Sequence, residues 1–303
     1  MMFPKGKLVI VGGALDLGSK LTAEEHTAHP DHIKFFEKGI LKRVIAESPK
    51  KEESVVEVIT TASQIPEIVG REYMKAFRQL NVKNVSVLDI HNREEAASPE
   101  CLERIKNTDV IMFSGGDQLK LSSIFGGTQS LKILKKRYLD GELLIAGTSA
   151  GAAAASTCMI YRGESNEALI KGEVQITAGL GFIDSVIIDT HFVQRGRIGR
   201  LLYAVASNPG ILGIGLGEDA GLLITEGNTM EAIGSGLIML VDGKKIVKTN
   251  IYYVEIGAPV SIENMKVHVM SIGDRYDLAE HRMTMKKTPQ IHKDIIYNGD
   301  NND

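Results

Sequence analysis

Tryptophan is absent from the 303 residues, and aromatic residues of all kinds make up only 5%. Carbohydrate faces and single-stranded nucleic-acid grooves are built on stacked rings, so this shortage argues against both. Cysteine is scarce too. Cys101 and Cys158 are the two in the chain, too few for a disulfide framework and suited to a reducing compartment. Neither has histidine or cysteine neighbours at metal-ligand spacing. No charge excess exists either: Lys+Arg 35 against Asp+Glu 38 leaves a net charge of -3, so no global field invites nucleic acid or an anionic membrane. Long apolar runs are missing near the start, where Leu8 to Val11 is far too short for a signal-peptide core or a spanning helix. These absences lead to the expectation of a cytoplasmic protein with no nucleic-acid and no membrane partner. With 43% hydrophobic residues, the chain can bury a large core.

What is present is alternation. Lys7–Val11 reads as a strand ending in Gly12-Gly13, and Asp31–Ser48 as a helix with Ile33, Phe36, Ile40, Leu41, Val44 and Ile45 on one face. Val55–Thr60, Val85–Leu88 and Val110–Phe113 read as strands, and Pro66–Leu80 and Pro99–Lys106 as helices. Unbroken apolar strands separated by helices predict an α/β fold, a doubly wound, mostly parallel sheet, whose ligands gather at the carboxyl ends of the strands. Beyond residue 210 the texture changes to strands and tight turns. Candidates are Ile211–Leu216, Gly221–Thr225, Met230–Gly234, Gly236–Val241, Lys245–Ile251, Tyr252–Glu255 and Lys266–Met270, with Asp242-Gly243 as a hairpin turn. With no Pro/Ser-rich linker, these predict a C-terminal antiparallel extension of the same sheet. Residues 1–285 are then one α/β domain, and 286–303 a polar, frayed tail.

The chemistry concentrates in Leu143 to Ala155, where an apolar strand runs into Gly147-Thr148-Ser149-Ala150-Gly151 and then an alanine-rich helix. A serine on a tight strand-to-helix turn between small residues is a nucleophile elbow. The helix N-terminus beneath it offers free N–H groups where an oxyanion would form. A base is needed. Among the eight histidines, His191 stands at the end of the candidate strand Ser185–Ile188, in Asp189-Thr190-His191-Phe192, as base or as a core histidine. His26, His29 and His32 lie in a polar segment that suits a solvated loop better than a metal site. The orienting acid is Glu218 in Gly215-Leu216-Gly217-Glu218-Asp219, with Asp219 as the alternative; both could equally be solvated turn acids. Ala150 and Gly116 of Ser114-Gly115-Gly116-Asp117 are candidate oxyanion donors; this loop lacks the spacing of a phosphate loop. Arg195, Arg197 and Arg200 form either a carboxylate-binding set or a solvated helix face.

Taken together, Ser114–Gln118, Gly147–Ala152, Asp189–Leu201 and Gly215–Asp219 resemble the motifs of cyanophycinases, a branch of the serine peptidase group that also contains aspartyl dipeptidase. Order and spacing agree: the histidine lies 42 residues after the serine and the glutamate 27 further on, whereas in α/β-hydrolases the acid precedes the histidine. The resemblance runs from about Lys7 to about Val241. It implies a class I glutamine-amidotransferase-like sandwich, a Ser149–His191–Glu218 triad, and oxyanion donors at Gly116 and Ala150. Substrate contacts from Gln118, Asp189, Arg195, Arg197 and Arg200 follow from it as well. It also implies a serine exopeptidase that releases β-aspartyl-arginine dipeptides from cyanophycin, with no cofactor and no metal, and it admits a homodimer. A dipeptidase acting on small aspartyl or isoaspartyl peptides is the alternative, and a non-catalytic protein that kept the fold is a third. Thr190 stands where the family usually has glutamine, a substrate contact, so the residue preferred on the β-carboxyl is expected to differ.

Overall fold

A computed structural model describes residues 3–15, 17 and 39–287. The expected histidine loop at 26–32, the start of the expected helix at 31 and the end of the tail from 288 lie outside these residues. The central strand β1 (Leu8–Val11) is buried at all four positions, the mark of a strand covered on both faces. Its side chains alternate. Val9 and Val11 join one core with α1 (Ile40–Glu47) and α2 (Pro66–Gln79), and Leu8 and Ile10 join a second core on the opposite face. Within α1 the buried set Ile40, Leu41, Val44 and Ile45 follows helical spacing.

On the same plan, β2 (Val56–Ile59), β3 (Val85–Leu88), β4 (Val110–Phe113) and β5 (Leu144–Thr148) run parallel to β1. Between them come α3 (Arg93–Ala96), α4 (Pro99–Asn107), α5 (Gln118–Phe125) and α6 (Gln129–Asp140). Local chemistry fixes the helix ends: the Ser98 side chain accepts from the Cys101 N–H, with a proline opening α4, and Gly141 ends α6 at φ 88. After β5 comes the short helix α7 (Ala150–Ala154), buried throughout. A small β6 (Cys158–Arg162) and β7 (Gln175–Ala178) ladder follows.

Beyond residue 185 lie β8 (Val186–Thr190), α8 (Ile198–Ser207), β9 (Leu212–Leu216), β10 (Ala220–Thr225), β11 (Thr229–Gly234) and β12 (Ile238–Asp242). They are followed by the short β13 (Lys248–Thr249) and β14 (Ile262–Glu263), then β15 (Lys266–Met270), β16 (Arg275–Asp277) and β17 (Arg282–Thr284). The main sheet has nine strands in the order β17-β16-β11-β10-β1-β5-β4-β2-β3. Its first half carries the expected antiparallel extension, but not all of it. Strands β9, β12 and β15 leave the main sheet and form, with β8, a four-stranded sheet in the order β15-β12-β9-β8.

This corrects the expectation of one continuous extension. Apolar alternation reports that a strand is buried, not which sheet receives it. Here α8 is a crossover that sets β9 parallel to β8. Ile188, Leu216 and Leu240 of the second sheet share a core with the main sheet, while Ile187 and Val241 face Leu201 and Val205 of α8. Further corrections follow. The chain leaves β12 at Asp242 without a hairpin, since β12 pairs with β9 and β15. Tyr252–Glu255 is not a strand, and of Lys245–Ile251 only Lys248–Thr249 is. Among the described residues no helix is long and apolar enough to cross a membrane.

Candidate active site

Ser149 lies between β5 and α7 at φ 51 and ψ -108. A non-glycine residue there carries about 1–3 kcal/mol of strain that the surroundings must sustain. The surroundings are tight: a β-carbon on Gly147 would meet the Gly151 carbonyl carbon at 2.5 Å, and one on Gly151 would meet Phe113 at 2.6 Å. The helix therefore lies directly on the strands, and the serine is lifted to the carboxyl rim of the sheet.

Three elements converge on the end of β1. The Ser149 N–H donates to the Val11 carbonyl at 2.9 Å, the His191 N–H to Gly12 at 2.8 Å, and the Asp219 N–H to Gly13 at 3.0 Å. His191 and Asp219 both adopt positive φ, 49 and 47. Against this frame Ser149 Oγ lies 2.9 Å from His191 Nε2, and His191 Nδ1 lies 3.2 Å from Glu218 Oε1. Asp219, the alternative acid, instead accepts from the Ser235 hydroxyl at 2.5 Å. The Glu218 N–H donates to the Gln194 side-chain oxygen at 3.2 Å, a contact that its position in the sequence does not announce.

Burial holds the His191 imidazole below its ordinary pKa; the hydrogen bond to Glu218 opposes this, and the Arg195 and Arg197 charges add to it. The ring is thus neutral at neutral pH. With Nδ1–H donating to Glu218, Nε2 is free to accept the serine proton. A β-carbon on Gly115 would lie 3.3 Å from the Ser149 β-carbon, and Gly116, at φ 139, comes so close to the Ala62 carbonyl that only glycine fits. Ala150 opens α7, so its N–H has no intrahelical acceptor.

The arginine run divides. Arg200 is buried and donates to both Asp189 oxygens at 2.8 Å and to the Gly163 carbonyl at 2.9 Å. Arg197 donates to the Thr190 carbonyl at 2.7 Å and approaches Asp189 at 3.4 Å. Burial pushes Arg197 down to about 10, against the pull of Asp189, which leaves it charged. Burial also raises the Asp189 carboxyl, while Arg200 and Arg197 oppose the rise. Arg195 is exposed. All three arginines line an open cleft of about 580 Å³ with residues 161–166, a loop the sequence did not single out. Asp189 and Thr190 are only 2% and 4% exposed, so neither expected contact stands open to the cleft. Gln118 donates to the Ile160 carbonyl at 3.0 Å. Among the described residues, no group of three or more His, Cys, Asp or Glu could hold a metal ion.

The profile described as Peptidase family S51 matches residues 35–232. A cyanophycinase of Synechococcus elongatus is 37% identical over 234 residues, which span 77% of this chain and 73% of that protein. The cyanophycinase of Nostoc sp. is 34% identical over 238 residues, 78% of each. Among solved structures, a peptidase from an acI-B1 Actinobacterium superposes with a TM-score of 0.60 at 19% identity, covering 91% of this chain and 98% of that one; this likeness speaks for the fold alone.

Proposed function

The chain belongs to peptidase family S51 and is a serine-type peptidase, and from that premise we propose that it hydrolyses cyanophycin to β-aspartyl-arginine dipeptides through an acyl-enzyme. The observation that carries the reading is the continuous line Ser149 Oγ–His191 Nε2, His191 Nδ1–Glu218 Oε1, at 2.9 and 3.2 Å. The names of the relatives favour the polymer over a small dipeptide as substrate.

In this reading His191 Nε2 takes the Ser149 proton as Oγ attacks a main-chain aspartyl carbonyl. The carbonyl π electrons move onto oxygen, toward the N–H groups of Ala150 and Gly116. Collapse breaks the C–N bond, and the proton on Nε2 passes to the departing amine. Water, deprotonated by the same nitrogen, then releases the acyl group. Glu218 holds the ring and offsets the imidazolium charge. Arg195 and Arg197 meet substrate carboxylates, which guanidinium forks bind bidentately. The fold reading that accompanies this function is a class I glutamine-amidotransferase-like sandwich formed by residues 1–285, which the strained turn at the end of a central parallel strand supports.

The test is incubation of the purified protein with insoluble cyanophycin, with mass spectrometry of the soluble products. β-Aspartyl-arginine should appear, and Ser149→Ala should lower the rate by a factor on the order of 10⁶ while the protein stays folded. No dipeptide from the wild type, or a variant keeping about a tenth of the rate, overturns the reading.

A further inference from the structure

The cleft beside the triad is lined by four guanidiniums, those of Arg162, Arg195, Arg197 and Arg200, and by one acidic side chain, Glu164. Asp189 already neutralises Arg200 from below. Among the described residues Glu164 accepts no hydrogen bond and forms no ion pair within 4.0 Å, and it acts on Arg197 only through space. Nor is it a side chain on a loose loop. The residue before it, Gly163, accepts from Arg200 Nη1 at 2.9 Å, and the residue after it, Ser165, donates its hydroxyl to the Arg195 carbonyl at 2.7 Å. Glu164 is pinned on both sides to the arginine segment, exposed and directed into the cleft. Its charge reaches Arg197, whose guanidinium it favours.

We propose that Glu164, flanked by Tyr161 and Asn166, forms a subsite for the guanidinium of a substrate side chain, opposite the arginines that take its carboxylates. The proposal rests on the functional reading above and adds to it the group that tells arginine from an uncharged residue. Glu164 is the one acidic side chain that lines this cleft among the described residues. A β-aspartyl-arginine unit carries carboxylates and one cation; a cleft bearing arginines alone would attract the former and repel the latter. A cationic side chain entering this cleft finds in Glu164 a carboxylate with no hydrogen bond of its own to oppose its charge. Such a pair, partly desolvated against the cleft wall, discriminates more than a fully exposed one.

The experiment uses two soluble synthetic oligomers of β-aspartyl-arginine, one intact and one with the terminal arginine replaced by citrulline, its uncharged isostere. Wild type should favour the arginine oligomer by about tenfold in kcat/KM. Glu164→Gln should bring that ratio to about one, and Glu164→Lys should invert it. A ratio that Glu164→Gln leaves unchanged overturns the proposal while the functional reading stands. Cleavage of neither oligomer by wild type sinks the functional reading instead. The subsite is then decided by calorimetry on Ser149→Ala with β-aspartyl-arginine and β-aspartyl-citrulline: equal affinities overturn it, and an arginine preference lost in the Glu164→Gln double variant sustains it.

Discussion

Gly13 lies flat against the imidazole of His191: a β-carbon on Gly13 would fall 2.2 Å from Cε1, 2.6 Å from Nε2 and 2.7 Å from Nδ1. Because all three distances fall on one ring face, the glycine limits how far the ring can turn out of line with Ser149 and Glu218. Gly13→Ala is therefore expected to lower kcat by at least about a hundredfold, since small misplacements of a catalytic group cost that much. The backbone itself, at φ 127, a conformation that L side chains rarely adopt, adds a stability loss of about 1–3 kcal/mol. Steady-state kinetics alongside thermal unfolding separates the two, and unchanged kcat would contradict the packing argument.

The pH dependence follows from the same histidine. Its pKa lies below 6.5 because burial disfavours the imidazolium. Activity should rise with pH along a single titration centred below 6.5 in kcat/KM. Glu218 raises the His191 pKa and Arg195 lowers it, so Glu218→Gln should move the midpoint further down and Arg195→Ala should move it up. Glu218→Gln should also cost less activity than loss of the imidazole. For stability the sign is fixed by proton binding. The unfolded chain protonates this histidine more readily, so its contribution is full above pH 6.5 and declines as pH falls through the folded-state value. A pH–rate series and a pH–Tm series check both.

Arg200 and Arg195 are expected to fail in opposite ways. Replacing Arg200 with alanine leaves the Asp189 carboxylate buried without its bidentate partner, which should cost about 3–5 kcal/mol of stability. Arg195→Ala removes an exposed side chain, so Tm should hold while KM for the substrate rises. Calorimetric unfolding and KM measured on both variants decide this; equal Tm losses would contradict it.

Gln194→Ala removes the acceptor for the Glu218 N–H. A lost hydrogen bond of about 1 kcal/mol should appear as a roughly fivefold to tenfold fall in kcat with little change in KM. Gln194→Glu keeps an acceptor and adds a negative charge beside Glu218, so it should recover part of kcat and raise the midpoint of the pH profile.

The approach of Ser149, His191 and Glu218 to one another has local signals in the sequence. Small residues around Ser149, a strand end before His191 and a glycine-laced strand before Glu218 are features of single short segments. Between Glu218 and Asp219 the sequence offers only order after the strand and resemblance to a family, because Ser235, which takes up Asp219, is remote in sequence. The three arginines read as equivalent because their spacing shows a run, not which member turns inward onto Asp189. The second sheet was missed for a similar reason. Ile211–Leu216 and Gly221–Thr225 are both apolar strands, and only their pairing, β9 with β8 and β10 with β1, sends them to different sheets. Gln194, Gly163 and Ser165 act through side-chain and carbonyl contacts that leave no periodic trace.

Val11, Gly12 and Gly13 supply successive carbonyls to Ser149, His191 and Asp219, so the end of β1 is where the remote parts of the peptidase meet. The three groups held there are far from it and from one another along the chain. Contacts of such sequence separation also close slowly. Ser149, His191 and Glu218 therefore come into line only once segments remote in sequence have closed on β1, so activity should return late in refolding, with the last of the sheet.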